Sequence, residues 1–104
     1  MRGVLLEFVY SNDLIAYLQK KDRRYVVVEV VSSNHSDIEI TELYPHVITD
    51  KQAAAFLKKC FVTKPAPVGQ VLLPPYRLHY ADTVTFSLRS FLGVKSLRQE
   101  GITL

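Results

Sequence analysis

Seven residues, Tyr25 to Val31 (YVVVEVV), are apolar at both alternating positions and broken only by Glu29. β-Branched side chains at that density predict a strand buried on both faces. A different pattern follows. From Asp37 to Leu43 acids and hydroxyls alternate with isoleucines, Asp37, Glu39 and Thr41 against Ile38 and Ile40. That period of two predicts a half-buried strand. The first segment, Gly3 to Tyr10, places Val4, Leu6, Phe8 and Tyr10 on one side of another strand. Ser11-Asn12-Asp13 is a turn cluster or a helix cap. Leu14 to Gln19 reads equally well as a short helical turn or an extended hairpin arm.

One helix stands out. Thr49 and Gln52 form a capping-box pair, and Asp50 suits the positive end of the helix dipole. From Asp50 to Phe61, Ala53, Phe56, Leu57 and Cys60 recur at helical spacing on one face, with Lys51 and Lys58 elsewhere. Pro65 and Pro67 close the region. Strand character returns from Val68 to Leu73, bends at Pro74-Pro75 and resumes from Tyr76 to Tyr80. Asp82 sits at an expected turn before Thr83 to Arg89, where Val84, Phe86 and Leu88 alternate with polar residues. The predicted order is strand, strand, strand, helix, strand, strand. That is the connectivity of a five-stranded oligonucleotide-binding (OB-fold) barrel with one helix between strands 3 and 4. The expected class is all-β, or β-dominated, with one OB-like domain over residues 1–104.

Composition narrows the setting. A chain of 104 residues with 48% hydrophobic and 22% charged residues has enough apolar surface to fold as one small domain. The single cysteine, Cys60, excludes an internal disulfide and points to a reducing, cytoplasmic compartment. The amino-terminal MRGVLLEFVY lacks the form of a secretory signal, and no apolar run reaches membrane-spanning length. The net charge of +3 is modest, but its distribution is not even. Residues 36–50 carry Asp37, Glu39, Glu42 and Asp50 with no cation, whereas residues 51–98 carry eight cations against Asp82 alone. A basic segment of that size suits a polyanionic partner if the fold gathers it on one face.

Catalytic and metal chemistry find little support. His35, His46 and His79 are far apart with no metal-ligand spacing, and Gly3, Gly69, Gly93 and Gly101 form no phosphate loop. Cys60 on the apolar helix face is expected to be a buried small hydrophobe, and Glu29 to pair with Arg24 or Lys21. No cofactor, metal, membrane or small-molecule substrate is implied. Binding fares better. The stretch from Lys20 to Tyr25, KKDRRY, puts four cations ahead of an aromatic that opens the surest strand. Cations neutralise phosphates, and an exposed ring stacks a base. Further candidates are Arg77 and Tyr80 in the segment Tyr76-Arg77-Leu78-His79-Tyr80, then Arg89 and Phe91, which share a face opposite Leu88. Two other classes remain open. One is a protein-interaction module using apolar rings and a sheet edge. The other is a ribonuclease-type centre using Arg77 and His79.

Several of these segments resemble, in order, the single-stranded DNA-binding (helix-destabilising, gene V-type) proteins of filamentous bacteriophages. The resemblance lies in Arg24-Tyr25 with Glu29 four residues on, in Tyr44-Pro45, and in Pro67-Val68-Gly69 through Pro75-Tyr76-Arg77-Leu78 to Val84-Thr85-Phe86. It covers about half the chain in short pieces. Departures are Asp22-Arg23-Arg24 where the family has glycine and proline, and a longer helix. Ser90-Phe91-Leu92-Gly93 also resembles the family's serine-phenylalanine hairpin, which gives a second alignment of the last third. The resemblance implies an OB barrel acting as a two-fold dimer that coats single-stranded DNA in phage-type replication, in the cytoplasm of a bacterial host. It would give Tyr25 and Tyr44 stacking roles, and would give Lys21, Arg23 and Arg24 phosphate contacts in a projecting hairpin. The interface expected from both readings comprises Lys20, Lys21, Arg23, Arg24, Tyr25, Tyr44, Arg77, Tyr80, Arg89 and Phe91.

Overall fold

A computed structural model describes residues 6–35 and 38–104, with backbone alone at 33–35 and 38–40. Asp37 and the segment before Leu6, including Val4, lie outside the described residues. So does Ser36. In chain order the elements are β1 (Glu7–Tyr10), α1 (Asn12–Lys21), β2 (Tyr25–His35), β3 (Ile38–Ile48), α2 (Asp50–Lys58), β4 (Val62–Pro65), β5 (Gln70–Leu73), β6 (His79–Phe91) and β7 (Val94–Thr103). The protein is β-dominated, as the sequence predicts.

The five-stranded barrel is not what forms. The strands make two sheets, one ordered β1-β6-β7 and the other β3-β2-β5-β4, and neither closes on itself. β1 joins β6 and β5 joins β2 in parallel, whereas β2–β3, β4–β5 and β6–β7 are antiparallel. The helix between strands 3 and 4 is present as α2, but α1 is a second helix.

Both faces of β2 are buried, and each has its own partner. Val26 and Val28 enter the principal core with Phe8, Tyr10, Leu14, Leu18, Val84 and Phe86, where α1 and the β1-β6-β7 sheet pack against the larger sheet. Val27 faces the other way, onto a smaller cluster with Ile48, Ala53 and Leu72 beneath α2. In the principal core Phe8 stacks on Phe86 and Tyr10 meets the same ring edge-on, at centroid distances of 6.1 and 5.8 Å. Phe86 is wholly buried, so truncating it removes one of the largest core contributions.

Local chemistry settles the helix the sequence left open. The Ser11 hydroxyl accepts from the Leu14 N–H, and Leu14 and Leu18, one turn apart, are fully buried. The Thr49–Gln52 capping box of α2 forms in both directions, as predicted. Within α2 Leu57 is exposed, and Cys60, beyond the helix end at Lys58 and at φ 71, is exposed too and not a core residue.

The last third differs most from expectation. β4 was not apparent in the sequence, because its four residues are mostly exposed and end on a proline. Residues 74–78 do not continue a strand. β6 instead starts at His79 and passes Asp82 without a turn, absorbing it in a pairing irregularity between Tyr80 and Thr85. Val84 and Phe86 do point inward, as their alternation predicts. β7 was unforeseen, since most of its side chains are exposed and its pattern is too polar to read as a strand. No described helix is long and apolar enough to cross a membrane.

Candidate nucleic-acid interface

KKDRRY is not a hairpin tip. Lys20 and Lys21 close the last turn of α1, where cations oppose the negative end of the helix dipole. Asp22 caps it in the left-handed region at φ 54, and the Arg23 N–H donates back to the Leu18 carbonyl at 2.9 Å. β2 begins three residues after the cap, so the segment is a tight helix-to-strand connection. Lys20 and Lys21 are exposed along it. Arg24 is exposed but engaged: its guanidinium donates to the Asp50 carboxylate at 2.5 Å. The hydrogen bond and charge of Asp50, with a smaller contribution from Tyr25, raise the Arg24 pKa above its ordinary value. Its charge is locally neutralised, which weakens its claim on a phosphate.

Tyr25 and Tyr44 share a face. Tyr25 lies opposite Ile48 and Glu29 opposite Tyr44, and all four have the same parity in the β2–β3 ladder. About 13 Å of strand separates the two tyrosine positions along that face. Tyr25 is half-buried beside α2, with the Arg24 guanidinium carbon 6.0 Å from its ring centre. Tyr44 is 51% exposed and stacks on His46, with centroids 4.5 Å apart and planes 17° from parallel. His46 pairs through Nε2 with Glu29 and meets Phe56 of α2 edge-on at 6.5 Å. Glu29 therefore pairs with His46, not with Arg24 or Lys21, because those cations lie beyond the strand's end while His46 is a diagonal cross-strand neighbour. The Tyr44 ring is thus braced from behind. Its strand neighbours on that face include Glu29 and Glu42, so this ring suits a base better than a phosphate.

Two further cations without an ion-pair partner among the described residues stand together on the other sheet. In the β6–β7 hairpin Ser87 faces Arg98, Arg89 faces Ser96 and Phe91 faces Val94. Arg89 and Arg98 are therefore diagonal neighbours on the outer face, beside Ser87 and Ser96. Among the described residues neither arginine has a carboxylate partner; the ion pairs there are Arg24–Asp50 and His46–Glu29. Past them the hairpin ends in an apolar tip, with Phe91 74%, Leu92 87% and Val94 66% exposed. Leu92 and Gly93 form a two-residue loop with φ of 51° and 80°, the positive values a type I′ turn requires. Arg98 and Val94 escaped the sequence reading because β7 did. The turn itself falls within Ser90-Phe91-Leu92-Gly93, the segment whose likeness to the phage hairpin gave the second alignment of the last third.

Other expected residues are scattered. Arg77 and Tyr76 are exposed in the bend before β6, and Leu78 between Arg77 and His79 is buried. Tyr80 packs against the principal core, and burial raises its hydroxyl pKa, which suits a core ring better than a stacking platform. His79 is exposed at the start of β6. No group of three or more potential metal ligands clusters among the described residues. No family model, curated protein or solved structure matches this chain.

Proposed function

We propose that the protein binds single-stranded DNA without strong sequence preference and coats it. The observation that carries this reading is the diagonal pair Arg89 and Arg98, free of carboxylate partners among the described residues, beside the exposed ring of Phe91. Two unpaired guanidinium groups next to an aromatic face supply the two terms such binding needs, counterion release and base stacking. The Ser87 and Ser96 hydroxyls on the same face add donors for phosphate oxygens. Lys20 and Lys21 add exposed cations at the end of α1, and Tyr44 offers a second, braced ring. The phage resemblance adds a two-fold dimer acting in replication in a bacterial host. An apolar hairpin tip gives a second copy something to cover.

The test is a salt titration of binding to oligo-dT and to duplex DNA. A steep loss of oligo-dT affinity with salt, with tyrosine fluorescence quenched and duplex bound more weakly, supports the reading. Absence of oligo-dT binding at low salt refutes it.

A second reading has one observation in its favour. Leu92, 87% exposed and held at positive φ, is an apolar contact for another protein, in which case the arginines only keep the hairpin soluble. Capture of a protein partner that is lost on Leu92→Asn, with no nucleic-acid binding, would favour it.

A further inference from the structure

We propose that the cleft between β3 and β7 holds a single nucleotide of the bound strand, its base inside and its phosphate at Lys95. This rests on the single-stranded DNA reading and adds to it a site for one base beside the Tyr44 ring, since Tyr44, Pro45 and His46 form the β3 wall of the same cleft. The cleft opens where the edges of the two sheets face each other, and its volume is about 240 Å³. That lies below the roughly 300–1,000 Å³ of pockets for drug-sized ligands, so one planar ring system is the occupant that fits.

Its chemistry divides in the way a nucleotide requires. Val47, Leu88 and Leu97 give an apolar lining, with Leu88 directly opposite Leu97 in the hairpin. Tyr17 of α1 and Tyr44 of β3 contribute aromatic rings, and His46 adds an imidazole. β3 and β7 each pair with one neighbour only, so both carry unpaired backbone donors and acceptors on their free edges. The Watson–Crick edge of every base combines donors and acceptors, and a strand edge that offers both can satisfy any of the four. Such readout keeps binding tolerant of sequence.

The cations fall where the phosphates would leave. Lys95 and Ser96 line the cleft at the β7 edge, and no carboxylate does. Lys95 shares the inner face of the hairpin with Leu97, while Arg89 and Arg98 occupy the outer face. A backbone crossing the β7 edge therefore meets positive charge on both sides. Tyr17 also stands one helical turn before Lys20 and Lys21, which brings that basic pair towards the same opening.

The experiment uses the whole protein, its backbone amides followed by NMR during titration with thymidine 5′-monophosphate and then with oligo-dT. Both ligands are expected to shift Tyr17, Val47, Leu88 and Leu97, and Lys95→Ala should weaken the monophosphate about three- to tenfold. Oligo-dT that shifts Arg89 and Phe91 while leaving Tyr17, Val47 and Leu97 unmoved overturns the cleft proposal and leaves the broader reading standing. If oligo-dT shifts nothing, the broader reading fails and the cleft proposal with it. Tyr17→Ala, a substitution at a half-buried helix position, provides a second variant. Its oligo-dT affinity should fall, and an unchanged affinity in a folded variant counts against the cleft.

Discussion

A carboxylate oxygen of Asp50 lies 2.5 Å from the Arg24 guanidinium, tying the connection after α1 to the first turn of α2. Both side chains are more than 60% exposed, so the pair is screened by water and contributes little to stability. Its effect is on charge. Asp50→Asn would release Arg24 beside Lys20 and Lys21, and oligo-dT affinity at low salt should rise about two- to fivefold. Fluorescence titration of the variant checks this. An unchanged affinity would mean that the α1–β2 connection lies off the path of the strand.

Gly69 controls the same connection from the other side. At φ 63 a Cβ there would stand 1.9 Å from the Arg24 carbonyl oxygen, which accepts the Gln70 N–H at 2.9 Å. The obstacle is backbone, so it cannot swing aside. Gly69→Ala should destabilise the fold by about 2–4 kcal/mol, combining left-handed strain with the collision. Urea unfolding measures the loss.

Tyr10 carries a buried hydroxyl with no hydrogen-bond partner among the described residues. Desolvation pushes its pKa well above the ordinary value of 10.0. The folded state thus favours the neutral phenol, and the unfolded chain releases the proton first as pH rises. The Tyr10 contribution is present in full below about pH 10 and declines above it, by up to about 1.4 kcal/mol per pH unit. Tyr10→Phe should remove that part of the alkaline slope and stabilise the protein at pH 7 by about 1 kcal/mol, since an unpaired buried polar group is lost. Unfolding at pH 7 and pH 10.5 tests both halves.

Arg89 and Arg98 should act through salt, and the rings should not. Replacing either arginine with alanine is expected to reduce the slope of log affinity against log salt by about 0.7. Tyr44→Ala and Phe91→Ala should instead lower affinity by a similar factor at low and high salt, about 1–3 kcal/mol for a stacked base. Identical salt behaviour in all four variants would contradict this division of labour.

Leu92 sits at φ 51, a conformation that costs a residue with a side chain about 1–2 kcal/mol. Leu92→Asn should relieve part of that strain, because asparagine followed by glycine suits a type I′ turn. The hairpin is expected to become more stable by roughly 0.5–1 kcal/mol while its apolar tip shrinks. Gain of stability with loss of binding would mark Leu92 as retained for contact.

Local chemistry made much of the fold legible in the sequence. YVVVEVV specified a strand buried on both faces, because an apolar residue at every position leaves no face for water. Thr49 and Gln52 specified the start of α2, because their hydrogen bonds span only three residues. Val84 and Phe86 gave their inward face through period alone. Tertiary contacts decided the rest. Ser11 to Gln19 became a helix because Leu14 and Leu18 found a core to enter, which a short amphipathic segment cannot guarantee by itself. β7 exists because β6 offers it a partner, and no period in its own polar residues announces that. The same holds for the candidate site. Sequence identified cations and rings, but only the fold could give Arg24 to Asp50, Glu29 to His46 and Tyr80 to the core. Only the pairing of β6 with β7 could set Arg98 diagonally beside Arg89, because the hydrogen bonds that fix that register join residues distant from any local signal.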